Sequence, residues 1–133
     1  MALTRKLDEY LDDERVEYFK AINGILSCQV PKDDPEKIKE HLTVIIGHRS
    51  TIATILAKLE MFLDEALSYY LPQKEKSDTD LDRKLKLDSN VSQFRYWRNL
   101  VEGYLKTIDI QVSSMQSLLS YEKKHLTQLE GTT

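Results

Sequence analysis

Apolar residues recur at alternating steps of four and three along two long stretches of this chain, and this spacing constrains the fold more than any other feature. In the first stretch, nine of the ten ladder positions between residues 38 and 70 are apolar. In the second stretch, eleven of the thirteen positions between residues 87 and 129 are apolar. Steps that average 3.5 residues place one apolar seam along one side of an α-helix, as in a coiled coil.

Local start and stop signals set the bounds of the predicted helices. Asp34 can cap the free amides of a first helical turn, and Pro35 suits the first helical position because its missing amide would have no partner there. Pro72 ends that helix, and Gly131 is a suitable stop for the last one. The predicted elements are helix 1 over about residues 3–28, helix 2 over about 35–70, a mobile polar loop over about 72–80 and helix 3 over about 88–130.

These elements predict an all-α fold. Helices 2 and 3 would be about 54 and 65 Å long at 1.5 Å per residue, and a short connection makes them antiparallel. The expected architecture is therefore a long coiled-coil-like helical hairpin with a third, N-terminal helix. Further apolar residues lie outside the seam and need cover from helix 1 or from another subunit, which predicts a homo-oligomer. They include Ile55, Phe62, Trp97, Tyr104 and Leu118.

One charged residue interrupts the seam of helix 2. Arg49 occupies a ladder position, and a charge in an apolar seam needs a partner of opposite sign. The hairpin geometry places Glu102 or Asp109 of helix 3 near it. We expect an Arg49–carboxylate pair that fixes the register of the two helices.

The charge distribution points to one candidate binding surface. The formal net charge of −3 disfavours a protein that coats duplex DNA by bulk electrostatics. Residues 83–106, however, hold six basic residues against two acidic ones, and such a zone can bind an anion even on an acidic protein. The candidate nucleic-acid-binding residues are Arg83, Lys84, Lys86, Arg95, Arg98 and Lys106.

No targeting or membrane signal stands out in the sequence. Uninterrupted apolar runs are far shorter than the roughly 20 residues of a membrane span, and no apolar core follows the first basic residues. We expect a cytoplasmic protein without a membrane partner. The single cysteine, Cys28, lies among apolar residues and is expected to be a buried structural thiol.

Catalytic and metal-binding patterns are incomplete. Glu122 and His125 have the Glu-x-x-His spacing of di-iron helices, but such a site needs two of these motifs and further carboxylates. Glu60, Asp64 and Glu65 form one acidic patch, whereas a magnesium-dependent helical hydrolase needs a second array facing it. We therefore expect no enzyme, no metal and no cofactor, and a metal protein that uses Glu122 and His125 is the least favoured alternative.

Aromatic and basic residues alternate in the stretch Phe94–Arg98. Guanidinium groups can meet phosphates while rings stack on bases, so this pattern occurs where proteins hold single-stranded nucleic acid. Phe94 lies in the seam, and Trp97 shares a side with Leu100 and Tyr104. Core packing is therefore the favoured interpretation for Trp97, and Arg95 is better placed to face outward.

Four short runs resemble the UvsY-like recombination mediators of tailed phages. They are Leu67–Tyr70, Leu85–Asp88, Tyr96–Leu100 and Leu105–Asp109, within a resemblance that covers about residues 55–125. The resemblance implies a small helical protein that forms rings and binds single-stranded DNA. It also implies partners: a RecA-class recombinase to be loaded and a single-strand-binding protein to be displaced.

The chain departs from that family at one place. The family tends to carry basic residues just before the double tyrosine, but here that stretch is Leu63–Leu67, with Asp64 and Glu65. Any DNA-binding charge must then come from the 83–106 zone. The sequence favours a non-enzymatic recombination or replication accessory protein, with a structural or protein-interaction module, such as a phage assembly component or scaffold, as the alternative.

Overall fold

The structure is a computed structural model that describes residues 2–71 and 79–131, with side chains through residue 124. The four helices are α1 (Ala2–Tyr10), α2 (Asp13–Ser27), α3 (Pro35–Tyr70) and α4 (Asp80–Gly131). Within this described part there is no strand, and the predicted all-α class is confirmed. Most of the predicted mobile loop falls on residues 72–78, which lie outside the described residues.

Helices α3 and α4 form the hairpin around which the protein is built. Arg49 of α3 contacts Asp109 of α4, and Glu60 of α3 contacts Arg98, so residue numbers rise along one helix as they fall along the other. The predicted antiparallel packing of two long helices is confirmed. About every second seam position is buried: Ile38, Ile45, Ile52, Leu59 and Ala66 on α3, and Val91, Phe94, Val101 and Ile108 on α4.

The single N-terminal helix predicted over residues 3–28 was wrong, because the chain turns between α1 and α2. Asp12 has an extended backbone and accepts a hydrogen bond from the Arg15 amide (3.0 Å), so it caps α2 instead of continuing α1. The Arg15 guanidinium donates to the Tyr10 carbonyl at 2.7 Å and covers the Tyr10 ring. This corner lets α1 pack on α3 while α2 packs on α4.

Helix α4 begins about eight residues before the predicted residue 88. The Thr79 hydroxyl accepts from the Asp82 amide (3.1 Å), and the Asp82 carboxylate accepts from the Thr79 amide (3.3 Å). This reciprocal pair is a capping box, which satisfies two amides that a helix start leaves unpaired. The Thr-x-x-Asp spacing was present in the sequence and was missed.

Helices α1 and α2 cover the apolar residues that lie outside the seam. A hairpin of α3 and α4 alone would leave these residues exposed. Tyr10 packs on Phe62 with ring centroids 5.5 Å apart. Phe19 of α2 lies 6.0 Å from Trp97 and 6.2 Å from Tyr104, measured between ring centroids. The contact between Trp97 and Phe19 agrees with the core packing that was predicted for Trp97.

The position of Cys28 differs from the sequence expectation. Cys28 was expected to be buried, but it follows the last residue of α2 and is exposed. Helix α3 is long and apolar enough to satisfy a composition test for a membrane span. A long amphipathic helix that packs in a helical bundle can satisfy the same test, so this property alone does not indicate a membrane span.

Gln111 joins three helices at one point. Its side-chain amide donates to the Leu26 carbonyl at the end of α2 (2.8 Å), and its carbonyl lies 3.1 Å from His41 Nε2 on α3. Because the Gln111 carbonyl can only accept, His41 must donate from Nε2. A single side chain on α4 therefore holds α2 and α3 in place.

Replacing Gln111 with Leu should lower the free energy of unfolding by about 1–3 kcal/mol, because the Leu26 carbonyl and the His41 ring lose their partners in a half-buried site. Urea denaturation followed by circular dichroism would measure the change. Gln116→Leu, at an exposed position of the same helix, is the matched control and should change stability by less than about 0.5 kcal/mol. Equal effects in the two variants would contradict the structural role of Gln111.

Candidate nucleic-acid interface

All six cations proposed from the sequence lie on α4, but the structure does not bring them to one surface. Arg83 and Arg98 turn toward α3, and Lys86 lies on a different side of α4 from Lys84. The other three cations lie along one line of the helix: Lys84, Arg95 and Lys106. We call these three residues the cation line.

Arg98, predicted as a DNA ligand, is engaged in ion pairs within the fold. Its guanidinium pairs with Glu102 one turn along α4 and reaches across the hairpin to Glu60 at 3.3 Å. The Arg98 side chain is 29% exposed, and it occupies a seam position where it must find such partners. No local pattern in the sequence identifies Glu60 as the partner of Arg98, because that pairing depends on the register of α3 against α4.

Arg83 is also engaged within the fold. Its Nη2 donates to the Leu71 carbonyl at 3.0 Å, next to the end of α3. A helix leaves its last carbonyls without intrahelical partners, and a basic side chain stabilises them by hydrogen bonding and by its charge. Arg83 therefore ties the first turns of α4 to the end of α3.

The cation line follows from residue spacing. Lys84, Arg95 and Lys106 are eleven residues apart, which is about three helical turns and about 16 Å per step. Lys84 is exposed, and the Lys106 side chain is 71% exposed. These cations therefore stand at regular intervals along one exposed side of α4.

Carboxylates on the same helix partner two of these cations. Arg95 Nη1 lies 2.9 Å from Asp88, and Lys106 Nζ lies 3.1 Å from Glu102. The Arg95–Asp88 pair is more than 40% exposed on both sides. Exposed ion pairs contribute about 0–1 kcal/mol, so a phosphate can replace the carboxylate at small cost.

Tyr96 adds an aromatic ring beside the line. Its side chain is 59% exposed, whereas neighbouring Trp97 packs against Phe19. Tyr96 and Trp97 meet edge to face with centroids 5.2 Å apart, so the Tyr96 ring is supported from within the fold. Of the aromatic residues in Phe94–Arg98, Tyr96 is the one that a base can reach.

The structure pairs Arg49 with Asp109. Arg49 Nε donates to Asp109 Oδ1 at 2.7 Å, and Nη2 donates to Oδ2 at 3.4 Å. Glu102, the other expected partner, forms ion pairs with Arg98 and Lys106 instead. Both side chains are about half exposed, so the pair lies at the edge of the seam and not within it. The hydrogen bond from Arg49 lowers the pKa of Asp109, and the same contact raises the pKa of Arg49.

An open cleft of about 760 Å³ separates α2 from α3. Tyr18 lines the cleft, and its hydroxyl oxygen lies 2.9 Å from His48 Nδ1. Burial raises the pKa of the Tyr18 hydroxyl. Asp12 and Arg15 also line the cleft, but both already serve the corner between α1 and α2. The cleft forms because α1 packs on α3 whereas α2 packs on α4, which leaves space between α2 and α3.

No metal centre forms among the described residues. Groups of three or more His, Cys, Asp or Glu side chains are absent from that part of the chain. Glu122 is half-buried, whereas the side chain of His125 lies outside the described residues.

Comparison with protein-family models, with curated proteins and with solved structures found no match to this chain.

Replacing Asp109 with Asn should lower stability at neutral pH and have no effect in strong acid. Because the folded-state pKa of Asp109 is lowered, its stabilising effect is complete above the unfolded pKa of about 3.9 and is lost as pH falls through the folded value. Urea unfolding of both proteins at neutral pH and at successively lower pH into strong acid, below the lowered folded-state pKa of Asp109, measures this difference.

Asp64→Asn, an exposed carboxylate of α3, is the control and should show no such pH-dependent difference. A stability difference between the Asp109→Asn variant and the unmodified protein that stayed constant across this pH range would show that the Arg49 pair contributes nothing.

Proposed function

We propose that the protein is a non-enzymatic accessory factor of recombination or replication that binds single-stranded DNA through the cation line of α4. The observation that carries this proposal is the regular spacing of Lys84, Arg95 and Lys106 on one exposed side, with the Tyr96 ring beside them. Cations that follow a backbone, together with a ring on which a base can stack, are the two parts of a single-strand site.

The sequence resemblance supports the same function from a different direction. Its four runs lie at the end of α3 and along α4. The UvsY-like mediators, which this region resembles, bind single-stranded DNA and load a recombinase. The proposed partners are accordingly a RecA-class recombinase and a single-strand-binding protein, with the chain acting as a homo-oligomer.

A single protomer offers few cations, and this sets the expected strength of binding. Three phosphate contacts on a protein with a net charge of −3 predict weak, strongly salt-dependent binding. Several protomers on one strand would add their contacts, because linked binding events raise the overall affinity. Self-association is therefore part of the proposal.

A second candidate is a protein-interaction or scaffold module that binds no nucleic acid. The ion pairs favour it, because Asp88 and Glu102 offset two of the three charges in the cation line. On this alternative, the charged positions of α4 serve helix stability and solubility.

Fluorescence anisotropy of a labelled single-stranded oligonucleotide distinguishes the two functions. The proposed DNA-binding protein should bind with a logarithmic salt slope of about −2, since each of three phosphate contacts contributes about −0.7. Replacing Lys84, Arg95 and Lys106 with Ala should abolish binding, because the counterions would no longer be displaced.

The matched control replaces Lys20, Lys37 and Lys39 with Ala. These three are also exposed, and two of them, Lys20 and Lys39, also pair with carboxylates on their own helix. The control removes the same charge but lies on α2 and α3, so binding should persist. Equal losses in the two triple variants would show that net charge alone matters, and no binding even at low salt would favour the interaction module.

A further inference from the structure

The side of α4 that faces away from α3 carries no charge. At 100° per residue, Leu81, Leu85, Tyr96, Ile110 and Tyr121 lie within about 60° of one another, opposite the buried seam. Between residues 80 and 124 this helix has fourteen charged residues, and all of them fall outside this sector. We call the uncharged sector the outer stripe.

The outer stripe holds the exposed large apolar residues of α4. Its five large side chains are between 59% and 69% exposed. Single exposed apolar residues are ordinary on a protein surface, but an aligned and uncharged series along one helix marks an interaction surface. The remaining positions of the outer stripe are small or polar: Ser92, Asn99, Gly103, Ser114 and Ser117.

Gly103, at the middle of the outer stripe, is not required by the packing of its own chain. A Cβ built at Gly103 meets no atom within 4 Å. Glycine inside a helix costs about 0.5–1 kcal/mol relative to alanine, so this position gives up stability without a reason within the protomer. Gly24 and Gly47 are equally open, and what distinguishes Gly103 is its place in the outer stripe, where it leaves room for an approaching helix.

We infer that the outer stripe binds the outer stripe of a second copy of this chain, with the two α4 helices antiparallel. A two-fold axis near residue 101 places Leu85 opposite Ser117, Ile110 opposite Ser92, and Asn99 opposite Gly103. Leu85 and Ile110 thus face serines, while Tyr96 lies opposite Lys106 at the border with the cation line. Leu81 and Tyr121 meet at the two ends.

The length of the outer stripe is sufficient for a dimer. From Leu81 to Tyr121 it extends for about 60 Å, and a contact about 10 Å wide buries about 600 Å² per protomer. The total of about 1,200 Å² reaches the lower bound of specific protein interfaces. A small partner peptide would leave most of this length exposed, whereas a second α4 covers all of it.

The antiparallel arrangement also determines where the charges lie. The cation line borders the outer stripe on one side. A two-fold axis perpendicular to both helices keeps the two cation lines on the same side of the pair, whereas a parallel dimer places them on opposite sides. The dimer stands without DNA binding. It would give the proposed DNA site twice the number of cations, but Tyr96 would then pack in the dimer contact instead of offering its ring to a base.

Light scattering at micromolar concentration tests the interface through Ile110→Glu. The unmodified protein should have twice the protomer mass of 15.5 kDa or a higher even multiple, and the variant should lose the outer-stripe contact and halve that mass. Ile46→Glu on α3 is the matched control, since Ile46 is also apolar and exposed at 47%. Circular dichroism confirms that both variants keep their helices.

Spin labels test the orientation. With Cys28 replaced by Ser, a single label at Ser120→Cys, an exposed position outside the outer stripe, should give a distance of about 57 Å between protomers in the antiparallel dimer, from 38 residues at 1.5 Å each. A parallel dimer would give about 10 Å. A short distance, a monomeric unmodified protein, or an oligomer broken by Ile46→Glu and not by Ile110→Glu would each overturn the inference.

These outcomes are separable from the proposed function. A protein that binds single-stranded DNA as a monomer would retain the function and lose the interface. A dimer that ignores DNA would retain the interface and lose the function.

Discussion

The seam between α3 and α4 is the contact on which the rest of this protein depends. Ile45, Ile52 and Leu59 on one helix, with Phe94 and Val101 on the other, are removed almost completely from water. Each such side chain contributes about 1.5–3 kcal/mol when it is buried, so a seam of this length outweighs any single polar contact. The α1–α2 pair is then bound to a hairpin whose direction and register are already set.

Polar groups at the edges of the seam refine this arrangement. Arg49 and Asp109 meet at one level of the hairpin, and Arg98 reaches Glu60 at another. Gln111 fixes the end of α2 to both long helices. Exposed ion pairs add little stability each, but a hairpin that slipped by one heptad would break all of these contacts together. Their common effect is specificity of register.

The two sides of α4 have different roles as a result. One side is apolar because it lies against α3, and the opposite side is uncharged and carries exposed large apolar residues that no helix in the described part of the chain covers. Charge is concentrated between these sides, where the cation line and its carboxylates lie. On the proposals made above, the uncharged side would serve self-association and the cation line would serve DNA binding.

The sequence by itself determined the all-α class, the bounds of α3 and the antiparallel hairpin, because a four-three apolar ladder and an Asp-Pro start are local signals. It also contained the Thr79–Asp82 capping box and the Asp12 cap, whose overlooked spacing explains the errors in α4 and in helix 1. Only the tertiary structure decided which cations remain available. Arg98 differs from Arg95 because Glu60, 38 residues away in sequence, lies beside it, and such a pairing depends on the register of two helices.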